Sequence, residues 1–324
     1  MRRAYPLILV VLLLLAGCGR DRVQPPRRSA APSIPGVTVI PVGSLPCASA
    51  PGAGAMWVTN YGDGTLSRID PATNRVTGTF PVGTNPCGVA YLDGHLWVAL
   101  VSDEKVAEVD PMTGKVLHTA AIDGQVYDLQ VGFGSVWVDD YGSHVIRIDP
   151  ATGHVAATIS VGSSAVLYGL AVTPQGVWAA DTSGHRISRI DPATNRVVAR
   201  IADPSGAPYT FAYTPGSLWV SSLPGATVRI DPATDKIVAT VRYGAVTSGA
   251  PGDPDALGGT VWVPNSDDGV LAAVSPTTGA ITARVALGAG YEVAQAGFGS
   301  IWDCNFHGSS IARIDPAHFV GAAD

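Results

Sequence analysis

The chain has 324 residues, 14% of them charged and 46% hydrophobic, with 38 glycines and 25 prolines, a mixture that excludes a disordered chain or a helical bundle and favours short buried strands joined by tight turns. Six of the 20 basic residues and one of the 26 acidic ones precede Val37, leaving 14 against 25, a balance of −11. A phosphate-backbone partner needs clustered Lys and Arg, so no nucleic acid is expected.

In chain order, MRRAYPLILVVLLLLAGCGR sets two arginines before an apolar run that ends at Leu15-Ala16-Gly17-Cys18. The run is shorter than the roughly 20 residues that span a bilayer, so residues 1–17 read as a signal peptide. The stretch resembles the bacterial lipobox. That resemblance implies lipidation of Cys18 and anchoring at the outer face of the bacterial cytoplasmic membrane. Residues 18–36 are rich in Pro and Arg and read as an extended tether, whose arginines favour anionic lipid.

From residue 37 to 324 the chain reads as one domain of repeats. The stretch MWVTNYGDGTLSRIDPATNRV (56–76) returns with changed spelling, and all seven tryptophans, Trp57, Trp97, Trp137, Trp178, Trp219, Trp262 and Trp302, fall at intervals of 40, 40, 41, 41, 43 and 40 residues. A second marker keeps step: Asp70-Pro71, Asp110-Pro111, Asp149-Pro150, Asp191-Pro192, Asp231-Pro232, Ser275-Pro276 and Asp315-Pro316. Within a repeat, four alternating runs of about 5 to 8 residues lie between turn signals such as Asp93-Gly94 and Pro111 to Gly114, the pattern of a propeller blade. The expected fold is all-β, a seven-bladed β-propeller of four-stranded blades. In the recurrent turn Asp caps downstream N–H groups, Pro presets φ and Asn, Gly or Asp takes the left-handed position.

The last repeat holds only three runs, Tyr291 to Ala296, Ser300 to Cys304 and Ser310 to Asp315. Val37 to Gly43 matches the fourth-strand spelling of Val76 to Gly83, so the N-terminal strand is expected to complete blade seven and remove an open edge. One Trp per blade at one depth reads as interblade packing. The repeated Arg of RID (Arg68, Arg147, Arg189, Arg229, Arg313) reads as a solvated strand position that offsets nearby acids.

The LWV, SRIDPATNRV and PVGTNPCGVA spellings resemble the YVTN or YncE-like seven-bladed propellers over nearly all of residues 37 to 319, and also the broader group that includes the virginiamycin B lyase propellers. The first resemblance implies a periplasmic or cell-surface module that binds a ligand or partner, without a common chemistry; the expected partner is an envelope protein, a peptide or a saccharide, and the chain is expected to be monomeric. The second implies a metal-assisted lyase or hydrolase using Mg or Ca. A structural envelope scaffold is the third reading.

Site candidates come from positions where the repeats differ. Ten residues before each Trp stand Cys47, Cys87, Tyr127, Tyr168, Tyr209, Gly252 and Glu292, a ring expected near the channel mouth, whose three tyrosines could wall a ligand. The ligand-binding set is Tyr127, Tyr168, Tyr209, Asp128, Asp139 and Asp303. Asp140, Asp181, His185, Glu292 and His307 are candidates for acid–base or cation chemistry, although no HExxH, GxSxG, P-loop or EF-hand spacing is present. The lyase resemblance implies a Glu three places after the blade Trp. Those places read Asn60, Leu100, Asp140, Asp181, Ser222, Asn265 and Asn305, a departure in which only the two Asp could substitute. With Cys18 assigned to lipid, Cys47 to Cys87 is the favoured disulfide and Cys47 to Cys304 the alternative, all three being expected on one face.

Overall fold

The computed structural model describes residues 34–320 except 164 and 243–251, so the signal peptide, Cys18 and the tether up to residue 33 lie outside the described residues. Among the described residues, alternating side chains and tight turns produce 28 strands in seven antiparallel four-stranded sheets, with a short 3-10 turn at Pro316–His318. Six sheets are contiguous in sequence. The seventh takes its outer strand from the other end of the chain: Val37–Pro41 pairs with Ser310–Ile314 in the register Val37↔Ile314 to Pro41↔Ser310. Ile40 of that strand is buried against Met56, Val58, Ile69, Trp302 and Ile311, so the closure carries core packing as well as ladder hydrogen bonds. The described residues are thus an all-β seven-bladed propeller. Among them, no helix is long and apolar enough to cross a membrane.

Two inner strands are shorter than the repeat implies, Leu129–Gly132 with four residues and Asp255–Leu257 with three. The physical reason is local. The carboxylate of Asp139 takes the N–H of Asp128 (3.2 Å) where a ladder bond would stand, and Pro254 has no N–H to donate to a ladder.

All seven indoles are buried, and truncating one to alanine would cost about 3–5 kcal/mol. Five donate their Nε1–H to the residue five places earlier: Trp57, Trp137 and Trp302 to a glycine carbonyl, Trp178 and Trp219 to a threonine hydroxyl. In blades two and six that residue is Leu92 or Leu257, and the Nε1 atoms of Trp97 and Trp262 have no partner among the described residues.

The RID arginines correct the expectation of a solvated position. Arg68, Arg147, Arg189, Arg229 and Arg313 stack on the Trp of their own blade at 5.0 to 5.8 Å. Four also reach the Asp-Pro or Ser-Pro turn of the next blade. Arg147 donates to the Pro192 carbonyl (2.8 Å) and Asn195 Oδ1 (3.1 Å), Arg189 makes a two-pronged bond to Asp235 (2.8 and 2.7 Å), Arg229 donates to the Pro276 carbonyl, and Arg313 to the Pro71 carbonyl and Asn74. The last clasp joins blade seven to blade one. The planar guanidinium satisfies stacking and forked donation together, which an ammonium cannot. The turns it grips are built as expected: Asp70 accepts from Ala72 N–H and Thr73 hydroxyl, and Asn74 is left-handed at φ 57°.

Candidate functional site

Around the central channel the inner strands approach so closely that side chains are squeezed out at several positions. Gly252 N–H donates to the Pro264 carbonyl, and a Cβ on Gly252 would stand 2.0 Å from the Glu292 carbonyl oxygen, so only glycine lets blades six and seven meet there. Asp253 N–H then donates to that same Glu292 carbonyl (2.7 Å).

At one end the channel opens into a funnel. Going round it, blades one and two contribute Cys47 and Cys87, which are joined as a disulfide with Cα atoms 5.0 Å apart. Cys304 does not face the funnel with them. It is a buried free thiol in the core between blades seven and one, which removes the Cys47 to Cys304 alternative, and burial raises its pKa. Blades three to five contribute Tyr127, Tyr168 and Tyr209, with ring centroids 6.1 Å and 4.9 Å apart. Tyr141 stands 4.9 Å from Tyr168 and the two hydroxyls share a hydrogen bond. Blade six contributes Asp253, and blade seven Glu292 and Phe306. Phe306, Tyr61 and Tyr127 pack on the disulfide. An aromatic arc therefore faces a carboxylate side, with Asp128 next to Tyr127 in the lining. Among the described residues, none that lines the funnel or the adjoining part of the channel is Lys, Arg or His.

That imbalance shows in the titration of the groups. Burial, and then the negative field of Asp128, push the Asp253 carboxyl up to about 8, against a smaller opposing hydrogen bond from Thr210. Burial pushes Asp128 up to about 6, held down in part by the N–H groups of Leu170 (2.6 Å) and Leu129 (2.7 Å). Burial also raises Glu292, while His307 and the Ser266 hydroxyl lower it. The phenols of Tyr127 and Tyr209 are raised by burial and next by Asp253.

The remaining candidates fall elsewhere. Asp139 and Asp303 are buried behind the funnel wall and serve the backbone: Asp139 accepts from Asp128 and Tyr141 N–H, and Asp303 from Val293 N–H (3.1 Å). Burial raises both carboxyls well above the usual range, and Asp303 Oδ2 has no partner among the described residues. Asp140 is held by His144 Nδ1 (2.7 Å) and two N–H groups of its own turn. Asp181 accepts from Arg186 (2.9 Å) and Gly184 N–H (2.8 Å), and the exposed His185 donates Nδ1–H to the Gly206 carbonyl (2.9 Å). None of these three lines the funnel. His307 packs on Phe306 at 5.7 Å, near Glu292. Among the described residues no three His, Cys, Asp or Glu side chains converge as metal ligands.

Asp253, Tyr141 and Phe306 escape the position-by-position reading, although two further columns contain them. Nine places before each Trp stand Ala48, Gly88, Asp128, Gly169, Thr210, Asp253 and Val293, two acids among small residues; four places after stand Tyr61, Val101, Tyr141, Thr182, Leu223, Ser266 and Phe306, with all its aromatics at the mouth.

Residues 62–281, more than half of the chain, match the family model described as outer membrane protein assembly factor BamB. No curated protein matches in sequence. Among solved structures, the chain is similar to a streptogramin B lyase (15% identity, 86% of this chain and 96% of that one, TM-score 0.76). It is similar also to a virginiamycin B lyase from Staphylococcus aureus (13%, 86% and 98%, 0.76) and to BamB from Moraxella catarrhalis (16%, 82% and 81%, 0.60). At these identities the likeness is one of fold.

Proposed function

The chain belongs to the family of outer membrane protein assembly factor BamB, and from that premise we propose that it is an envelope binding module: a propeller held by lipid on Cys18 and a tether over residues 18–36, presenting its channel mouth to a ligand or partner protein. Within the family it takes the YVTN or YncE-like form, exported and anchored at the outer face of the bacterial cytoplasmic membrane. The observation that carries the reading is the funnel, which Tyr127, Tyr168 and Tyr209 line together with Asp253 and Glu292, aromatic walls with a few convergent polar groups, as in small-ligand sites. A lyase on the same face has a likeness of fold behind it and no matching set of side chains, since Asp140 is bound to His144 and Asp181 to Arg186.

The test is photo-cross-linking in intact cells, with benzoylphenylalanine placed at Phe306 in the mouth or at Met112 on an Asp-Pro turn of the opposite face. A binding mouth gives discrete adducts from position 306 and none from 112. Adducts from 112 alone, or from neither, remove the mouth as the binding face. Membrane release of a Cys18→Ala variant tests the anchor separately.

A further inference from the structure

We infer that the channel mouth takes an organic cation, a protonated amine or a guanidinium group, seated between the tyrosine arc and the carboxylates of blades six and seven. The inference rests on the mouth being the binding face and names the chemistry of its occupant. Three independent features of the funnel converge on it. Tyr127, Tyr168, Tyr209 and Phe306 line one space with aromatic rings, whose electron-rich faces attract a cation, most strongly when water is excluded. Asp128 and Glu292 supply carboxylates to the same space, and Asp253, raised to about 8, is a carboxyl that a bound cation would ionise. Among the described residues no basic side chain lines it, His307 near Glu292 standing outside the lining, whereas Asp181 is paired with Arg186 and Asp235 with Arg189. The charge lacking here is therefore positive.

The same features reject other occupants. An anion would meet three carboxylates within a domain of net charge −11. A bare divalent ion would need converging oxygen or nitrogen ligands, and no group of three is assembled among the described residues. A neutral sugar could stack on the tyrosines, but it would leave the carboxylates without a counter-charge, and its binding would not depend on them.

The experiment is calorimetric titration of the full-length protein in detergent with tetramethylammonium, n-butylammonium and N-ethylguanidinium chlorides, with sodium butyrate and glucose as controls. Saturable binding of at least one cation, ten-fold or more tighter than either control, is expected. Glu292→Gln and Tyr168→Leu should each weaken it about five- to ten-fold while still giving a single cooperative melt, and Asp93→Asn, an exposed turn position, should leave binding unchanged. Equal binding of butyrate or glucose, no saturable cation binding, or cation binding that the two mouth variants leave intact would overturn the inference. A Gly-Gly-Lys-Gly-Gly peptide and its acetyl-lysine counterpart identify the source. Capture of the free-amine peptide more tightly than n-butylammonium assigns the cation to a partner polypeptide, and weaker capture assigns it to a small molecule. If cations fail while position 306 still cross-links, the mouth stands as the binding face and only the cation class falls.

Discussion

Replacing Asp253 by Asn should stabilise the protein, by an amount that depends on pH in one direction only. The carboxyl is raised from 3.8 to about 8, first by burial and then by Asp128, with Glu292 adding to the field and Thr210 opposing it. A group whose folded pKa is raised contributes its full stability below the unfolded value, loses it progressively as pH climbs from about 4 to about 8, and contributes nothing further above that. Asn carries no such proton, so wild type and variant should run together near pH 4 and separate steadily until about pH 8. Four pKa units correspond to a ceiling of about 6 kcal/mol. The side chain lines a channel that opens to water, so screening reduces this to about 2–3 kcal/mol, or about 5 °C in melting temperature for a domain of this size. Calorimetric melts of both proteins from pH 4 to 9 at constant ionic strength isolate Asp253, because Asp128, Glu292, Tyr127 and Tyr209, the other titrating groups at the mouth, remain in both. Parallel curves at every pH, or a variant less stable than wild type at pH 8 to 9, would refute the placement of this carboxylate in an uncompensated acidic channel.

Removing residues 37–41 should abolish cooperative unfolding at the wild-type temperature, and Ile40→Ala should cost about 2–4 kcal/mol, whereas deleting residues 19–33 should leave the denaturation midpoint unchanged. Arg313→Ala, which loses the Trp302 stack and both bonds to blade one, should cost about 1–3 kcal/mol in denaturant titration. Arg313→Lys should recover only part of this. Breaking the Cys47–Cys87 disulfide, whose cysteines lie 40 residues apart, should cost up to about 4 kcal/mol on loop-entropy grounds, read as a fall in melting temperature with reductant that a Cys47→Ser, Cys87→Ser protein does not share.

The parts of this fold that are legible in sequence are those written once per blade. Trp302 sits where Trp57 does because each blade must bury the same ring at the same depth, and Val37 to Pro41 can be assigned to blade seven because a fourth-strand spelling is missing there. Arg147 misleads for the opposite reason. Its partners, Pro192 and Asn195, lie 45 and 48 residues away, and a residue that looks solvated within one repeat is engaged once the next repeat is placed beside it. Asp139 and Asp303 likewise look like mouth residues in sequence, although their carboxylates turn inward to backbone N–H groups, a choice set by strand register. Asp253 stands nine places before Trp262 as Asp128 does before Trp137, one place beside the column that holds the tyrosines, and the lone acid of its own repeat there gives no sign of the neighbour that the ring brings to it.

The ring and its mouth make opposite demands on charge. Away from the mouth, acids are given partners: Arg189 holds Asp235 and Arg186 holds Asp181. In four of the Asp-Pro turns, hydrogen bonds from the turn itself pull the carboxyls of Asp70, Asp110, Asp191 and Asp231 below their usual range. At the mouth the same chain leaves Asp128 and Asp253 within each other's field with their pKa values pushed up. A fold selected for stability alone would have placed a lysine or an amide there. The substitution that raises stability, Asp253→Asn, should therefore weaken n-butylammonium binding, while Arg313→Ala should lower stability and leave that binding unchanged. Stability and affinity moving in opposite directions at position 253, and independently at 313, is the pattern expected when the channel is kept short of one positive charge that its ligand brings.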